Sequence, residues 1–302
     1  MAEFKKLNLL ERRRKTIEEL VKYYAEYRIY YYNKGDKLKG IELRKKMHWL
    51  VNTILKIDQL LSHENNIIIN NQNTANKNEA KIFACCHIGG NDIQRTFQVI
   101  EEPAYLMLGD PGILYRKLIY QGLKLNGVIP LETKNKLDRK IAYEKSIELL
   151  TKGGNLLIYP EGAWNVSPNE IVMKTFPGTV RMAREVGCEI VPIAVEQYDK
   201  TFYFNIGSNY KIPGNTTKTE KELNLELRDK LCSLKWEIME SVPMLKRDEI
   251  KDFTLNDFQK EIVERCNYGY GFSLEDALSE KFHDKNIVSE EEVFSFVKKI
   301  KR

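Results

Sequence analysis

From about residue 66 to residue 212 the sequence keeps switching its hydrophobic period, and this limits the folds open to it. Short apolar runs stand at 81–86 (KIFACC), 104–108 (AYLML), 127–131 (GVIPL), 155–159 (NLLIY), 189–195 (EIVPIAV) and 202–206 (FYFNI), and each has the length and composition of a strand. Helical spacing fills the gaps near 92–100, 112–124, 137–152 and 177–186. Two of these stretches end in glycine, Gly153 and Gly187, as helix C-termini often do. Strands alternating with helices predict an α/β fold: a mixed, largely parallel sheet flanked by helices. The apolar triplet in NNIIINNQNTANKNE, just ahead, predicts one more short strand and a turn.

Two helical regions flank this unit, and together they divide the chain into 1–63, 64–215 and 216–302. The first region reads as a pair of helices broken at NKGDKLKG. One carries six tyrosines (Tyr23, Tyr24, Tyr27, Tyr30, Tyr31 and Tyr32) with Lys22 and Arg28 among them. The other places Met47, Leu50, Ile54, Ile57 and Leu61 at helical spacing. The last region is a C-terminal helical extension. It has an apolar face through Leu223, Leu227, Leu231, Leu234 and Ile238, and a capping box from Ser289 to Glu292.

Net charge is +5 over 302 residues, unevenly spread. Residues 1–60 hold 15 Lys and Arg against 8 Asp and Glu, which leaves 33 against 35 elsewhere. A basic segment attracts anionic lipid, nucleic acid or acidic cofactors without choosing among them. No uncharged apolar run approaches the eighteen or so residues of a membrane span, and the start lacks the apolar core of a signal peptide. The five cysteines form no C-x-x-C pair and no zinc spacing, so a reducing cytoplasm and no metal are expected.

The stretch CCHIGGND, residues 85–92, sets His87 five places ahead of Asp92. On a straight helix they would stand about 140° apart around the axis and could not pair. Gly89 and Gly90 permit the bend that folds the aspartate back onto the imidazole. Reactive groups in open α/β sheets gather at the carboxyl ends of strands, and His87 follows one such strand directly. YPEGAWN, with Glu161 and Gly162, follows another, although Pro-Glu-Gly is also an ordinary turn.

Taken together, these stretches resemble the glycerolipid acyltransferase family, which includes 1-acyl-glycerol-3-phosphate acyltransferase. Its H-x-x-x-x-D motif is matched by His87 and Asp92. Its Pro-Glu-Gly motif after an apolar residue is matched by Tyr159, Pro160, Glu161 and Gly162. Its apolar strand with a central proline is matched around Pro192, and its lysine and glycine before a helix by Lys174 and Gly178. The resemblance covers about residues 66–212. It implies acyl transfer from a thioester, acyl-CoA or acyl-carrier protein, to a hydroxyl of a lipid acceptor in phospholipid biosynthesis. No other cofactor and no nucleic acid are implied. His87 would be the general base and Asp92 the group that orients it, with Glu161 and Gly162 shaping the acceptor site. Backbone amides of the turn at 88–90 would serve as donors to the developing oxyanion.

Two arginines of the family pattern are missing. Thr133 follows Glu132 where the second motif has arginine, and Ala163, Trp164 and Asn165 replace Thr-Arg-Ser in the third. Both arginines are expected to hold the acceptor's phosphate. Lys134, Lys136 and Arg139 stand close by in sequence and could supply charge, without the bidentate grip of a guanidinium. Lysophosphatidate is thus the leading acceptor, with a sugar or other non-glycerophosphate acceptor as a rival. A non-catalytic lipid-binding protein of the same fold is a second rival, disfavoured because it would need neither His87 nor Asp92. A lipid substrate also implies peripheral seating on the inner face of a membrane, for which the basic, tyrosine-rich segment is the candidate anchor.

Overall fold

The computed structural model describes residues 4–116, 124–166 and 170–242, together with residues 257, 260, 261, 263, 264 and 275. One sheet holds eight strands: β1 (Asn65–Asn71), β2 (Lys81–Cys85), β3 (Ala104–Gly109), β4 (Val128–Leu131), β5 (Asn155–Ile158), β6 (Glu189–Tyr198), β7 (Thr201–Ile206) and β8 (Tyr210–Lys211). They are ordered β1-β7-β6-β2-β5-β3-β4, with β8 beside β6. Among the described residues, only the β6–β7 and β6–β8 pairs are antiparallel. The other neighbours run parallel, which meets the expected α/β class.

β2 lies between β5 and β6, and all five of its residues are buried. A strand covered on both faces needs no polar alternation, so KIFAC reads as a continuous apolar run behind its lysine. Lys81 is satisfied by a buried ion pair with Glu102 at 2.8 Å. The helices after β2 include α4 (Asp92–Ile100), α5 (Lys136–Thr151), α6 (Gly178–Val186) and α7 (Glu220–Ser241). α6 ends on Gly187 at φ +74°. α7 opens with a capping box from Thr219 to Glu222 and buries all five apolar positions read from its sequence against the sheet. The helix expected over 112–124 is described as a 3-10 helix at Gly112–Arg116; residues 117–123 lie outside the described residues, as does the Ser289 capping box.

The expected N-terminal pair is present as α2 (Ile17–Asn33) and α3 (Ile41–Ser62), preceded by a six-residue α1 (Leu9–Arg14). Two successive capping boxes, Asn8 with Glu11 and Thr16 with Glu19, divide α1 from α2. The two long helices sit differently on the sheet domain. α2 is tied down by Arg28, whose guanidinium grips Asp138 at 2.7 and 2.6 Å and reaches Tyr115 and Glu132. Its tyrosines are half-buried, packed on one another, on Phe4 and on Tyr115. The apolar face of α3 points outward instead: Met47, Ile54, Ile57 and Leu61 are exposed, as are Leu43 and Leu60.

Candidate active site

β2 and β5 are adjacent and parallel, so their carboxyl ends deliver His87 and Glu161 to one place. Beyond Cys85 the chain turns through Gly89 and Gly90, at φ +85° and +64°, into the first turn of α4. That turn brings the Asp92 carboxylate back to the imidazole, with His87 Nδ1 at 2.7 Å from Asp92 Oδ2. The carboxylate accepts there, so Nδ1 carries the proton and Nε2 keeps a lone pair. Ile88 N and Gly89 N donate to the same oxygen at 2.8 and 3.0 Å. The expected role of the 88–90 amides therefore needs correction. Two of the three are held by Asp92, where they fix the orienting carboxylate instead of facing a reacting carbonyl.

Glu161 braces the loop from the neighbouring strand. Its side chain, 4% exposed, accepts from His87 N at 3.0 Å and from Met173 N at 2.8 Å. Asn165 N donates to His87 O at 2.6 Å, so the Pro-Glu-Gly loop holds the His87 peptide by both its N–H and its carbonyl. The Asn165 amide in turn donates to the carbonyls of Glu170 and Ile171. Gly162, at φ +68°, closes the turn onto Tyr159 O, and a Cβ there would meet the Phe176 ring at 2.7 Å. Burial pushes the Glu161 carboxyl above its usual range, opposed mainly by the charge of Lys235. Lys235, on α7, is 4% exposed and pairs with Glu196 at 3.2 Å. Burial alone would lower it, but Glu196 and its other anionic neighbours outweigh that and hold the ammonium charged.

The imidazole lies against Tyr159, with ring centroids 4.1 Å apart and planes 29° from parallel. Trp164 meets it edge-on at 6.2 Å. An apolar plane thus covers one face of the base, and the His87 side chain is 13% exposed.

The basic residues named from sequence are not all gathered here. Lys174 is exposed on the strap that follows Met173. Lys134 and Lys136 lie beyond β4, three strand spacings from β2, or about 14 Å along the sheet. They line a groove of about 700 Å³ with Lys22, the apolar face of α2 (Ile17, Val21, Ala25 and Ile29) and three carboxylates, Glu18, Glu26 and Glu132. Thr133 donates to Asp110 through both N and Oγ1, and Arg139 is bonded to Thr133 O.

Sequence reasoning did not find Lys235, Asn165 or Arg28. Lys235 had a signal, since it falls four residues after Leu231, on the buried stripe of α7. Asn165 and Arg28 had none, because their partners are set by the fold.

A largely parallel α/β sheet thus carries a histidine–aspartate pair and a buried glutamate at adjacent strand ends. A family model described as Acyltransferase matches residues 66–196. The structure is similar to that of the 1-acyl-sn-glycerophosphate (LPA) acyltransferase PlsC from Thermotoga maritima, with a TM-score of 0.54 and 13% identity, over 74% of this chain and 91% of that one. No curated protein sequence matches the chain. Residues 66–196 thus carry an acyltransferase domain, on a fold similar to that of PlsC.

Proposed function

We propose that this enzyme moves a fatty acyl group from a thioester, acyl-CoA or acyl-carrier protein, to a hydroxyl of a lysophospholipid, with 1-acyl-glycerol-3-phosphate as the leading acceptor. The observation that carries the reading is the 2.7 Å contact of His87 Nδ1 with Asp92 Oδ2. It leaves Nε2 as the base. As the acceptor hydroxyl attacks the thioester carbonyl, its proton passes to Nε2 and Asp92 stabilises the imidazolium. Collapse of the tetrahedral intermediate breaks the C–S bond. The proton goes to the leaving thiolate and the base is restored. Glu161 acts through the loop it braces. Lys134 and Lys136 are the cations proposed for the acceptor's phosphate, and Lys174 lines the approach.

A second reading has its own support. Trp164 stands beside the imidazole where the family carries arginine, and Thr133 is engaged with Asp110. An apolar plane and a neutral hydroxyl suit a sugar ring or a neutral glycolipid better than a phosphate. Thiol release from acyl-CoA, followed with a panel of acceptors, separates the two. The leading reading expects release with lysophosphatidate. Release only with a neutral glycolipid would replace it with the second.

For the membrane, we infer that α3 is the seat. No helix among the described residues is long and apolar enough to cross a bilayer. The outward stripe of α3 runs from Leu43 through Met47, Ile54 and Ile57 to Leu61, with Lys45, Lys46 and Lys56 on the same helix. An apolar face with lysines beside it favours lying in an anionic headgroup layer. This narrows the anchor expected over residues 1–63 to the second of its two long helices.

A further inference from the structure

Arg95 is wholly buried, yet it lies in α4 one turn beyond Asn91 and Asp92. A buried guanidinium needs partners for most of its donors, and each of the three nitrogens has at least one. Nε donates to Glu64 Oε2 at 2.7 Å. Nη2 donates to Asp58 Oδ2 at 2.7 Å and to Ser62 Oγ at 3.0 Å. Nη1 donates to Gln98 at 3.0 Å and more distantly to Leu55 O. Glu64 carries a second load, since both of its oxygens accept from Asn91 Nδ2, at 2.9 and 3.1 Å. One buried carboxylate therefore joins two successive levels of α4, Asn91 and Arg95. Asn91 is the N-cap of α4 and makes no side-chain capping bond of its own. The residue that follows Asn91 is Asp92.

We propose that Glu64 and Arg95 are positioning residues for the His87–Asp92 pair. They fix the first turn of α4 against the end of α3, and so hold the Asp92 carboxylate on Nδ1. The inference rests on the reading of that pair as the acyl-transfer base and its orienter. Glu64 suits the task because it only accepts. A glutamine there would turn an N–H toward Asn91 Nδ2 or Arg95 Nε, both donors, and would leave the buried guanidinium with the half-exposed Asp58 as its remaining anionic partner. The first turn would shift, and a misplacement of about 1 Å at a reacting pair costs on the order of 10²-fold in rate.

The test pairs a spectroscopic signature with kinetics. The Nδ1 proton shared with Asp92 should give a low-field proton NMR resonance, assigned by its loss in Asp92→Asn. In Glu64→Gln the resonance should vanish or broaden, and kcat should fall by about 10- to 100-fold while the acceptor KM stays within about twofold. A wild-type resonance overturns the proposal, whatever the rate. A lost resonance with wild-type turnover upholds the positioning role and instead sinks the catalytic reading of the pair. Should Glu64→Gln fail to fold, Asp58→Asn combined with Ser62→Ala loosens the clamp from its exposed rim. The same direction is expected there at smaller size, and an unchanged resonance in that variant overturns the proposal.

Discussion

Helices α2 and α3 come from the same basic stretch and present opposite kinds of face to the protein. α2 turns inward a charged residue, Arg28, together with aromatic rings, and ends up pinned to α5 and the 3-10 helix. α3 turns polar groups inward through Asp58, Ser62 and Arg44, buries Ile41, and leaves Leu43, Met47, Ile54, Ile57, Leu60 and Leu61 outside. Both sequences show helical periodicity. Periodicity therefore identifies a face and says nothing of its direction. Direction is set by which partners the rest of the chain offers. For α2 these are Asp138, Glu132 and Tyr115; for α3 they are Arg95 and Tyr105. On this account α2 is a structural element and α3 the lipid-facing one.

The largest expected effect breaks α2 from its seat. Arg28→Ala would leave Asp138 and Glu132 buried without their cation, which costs about 3–5 kcal/mol. Chemical denaturation should show that loss. An unfolding free energy within about 1 kcal/mol of wild type would mean that the Arg28 pair is not what holds α2.

Next comes α3. Ile54→Glu with Ile57→Glu should weaken binding to anionic vesicles by one to two decades, because two aliphatic side chains no longer enter the interface, at roughly 1 kcal/mol or more each. Thermal stability should hardly move, since both positions are about half exposed. Equal vesicle binding by variant and wild type would return the anchor to α2 or to another surface.

The smallest effect sharpens the boundary between the two roles. Lys134 and Lys136 share a groove with the apolar side of α2. If they hold the acceptor's phosphate, Lys134→Ala with Lys136→Ala should raise its KM several-fold while part of kcat survives, a change of about 1 kcal/mol. Unchanged kinetics would leave the groove without a part in acceptor binding and α2 purely structural.

Much of the α/β core was legible because it depends on local signals. The six apolar runs became strands, and the gap at Gly89 and Gly90 became the bend that joins His87 to Asp92. The leucine stripe of α7 buried as its spacing required. What stayed hidden depends on partners far away in sequence. Glu64, in the link between α3 and β1, and Arg95, in α4, are 31 residues apart, and Arg28 and Asp138 are 110 apart. No window of the sequence contains both members of either pair. The Ile88 and Gly89 amides were misassigned for a different reason. A glycine turn offers donors, but only the rotation of Asp92 decides which acceptor takes them.

Thiol release from acyl-CoA, measured for His87→Ala beside the wild type, shows whether His87 is the base proposed for the acyl transfer. Loss of a general base costs on the order of 10²–10⁴ in rate, and the variant should show that fall while unfolding at nearly the wild-type temperature. A folded His87→Ala enzyme that keeps most of the wild-type rate would contradict the account.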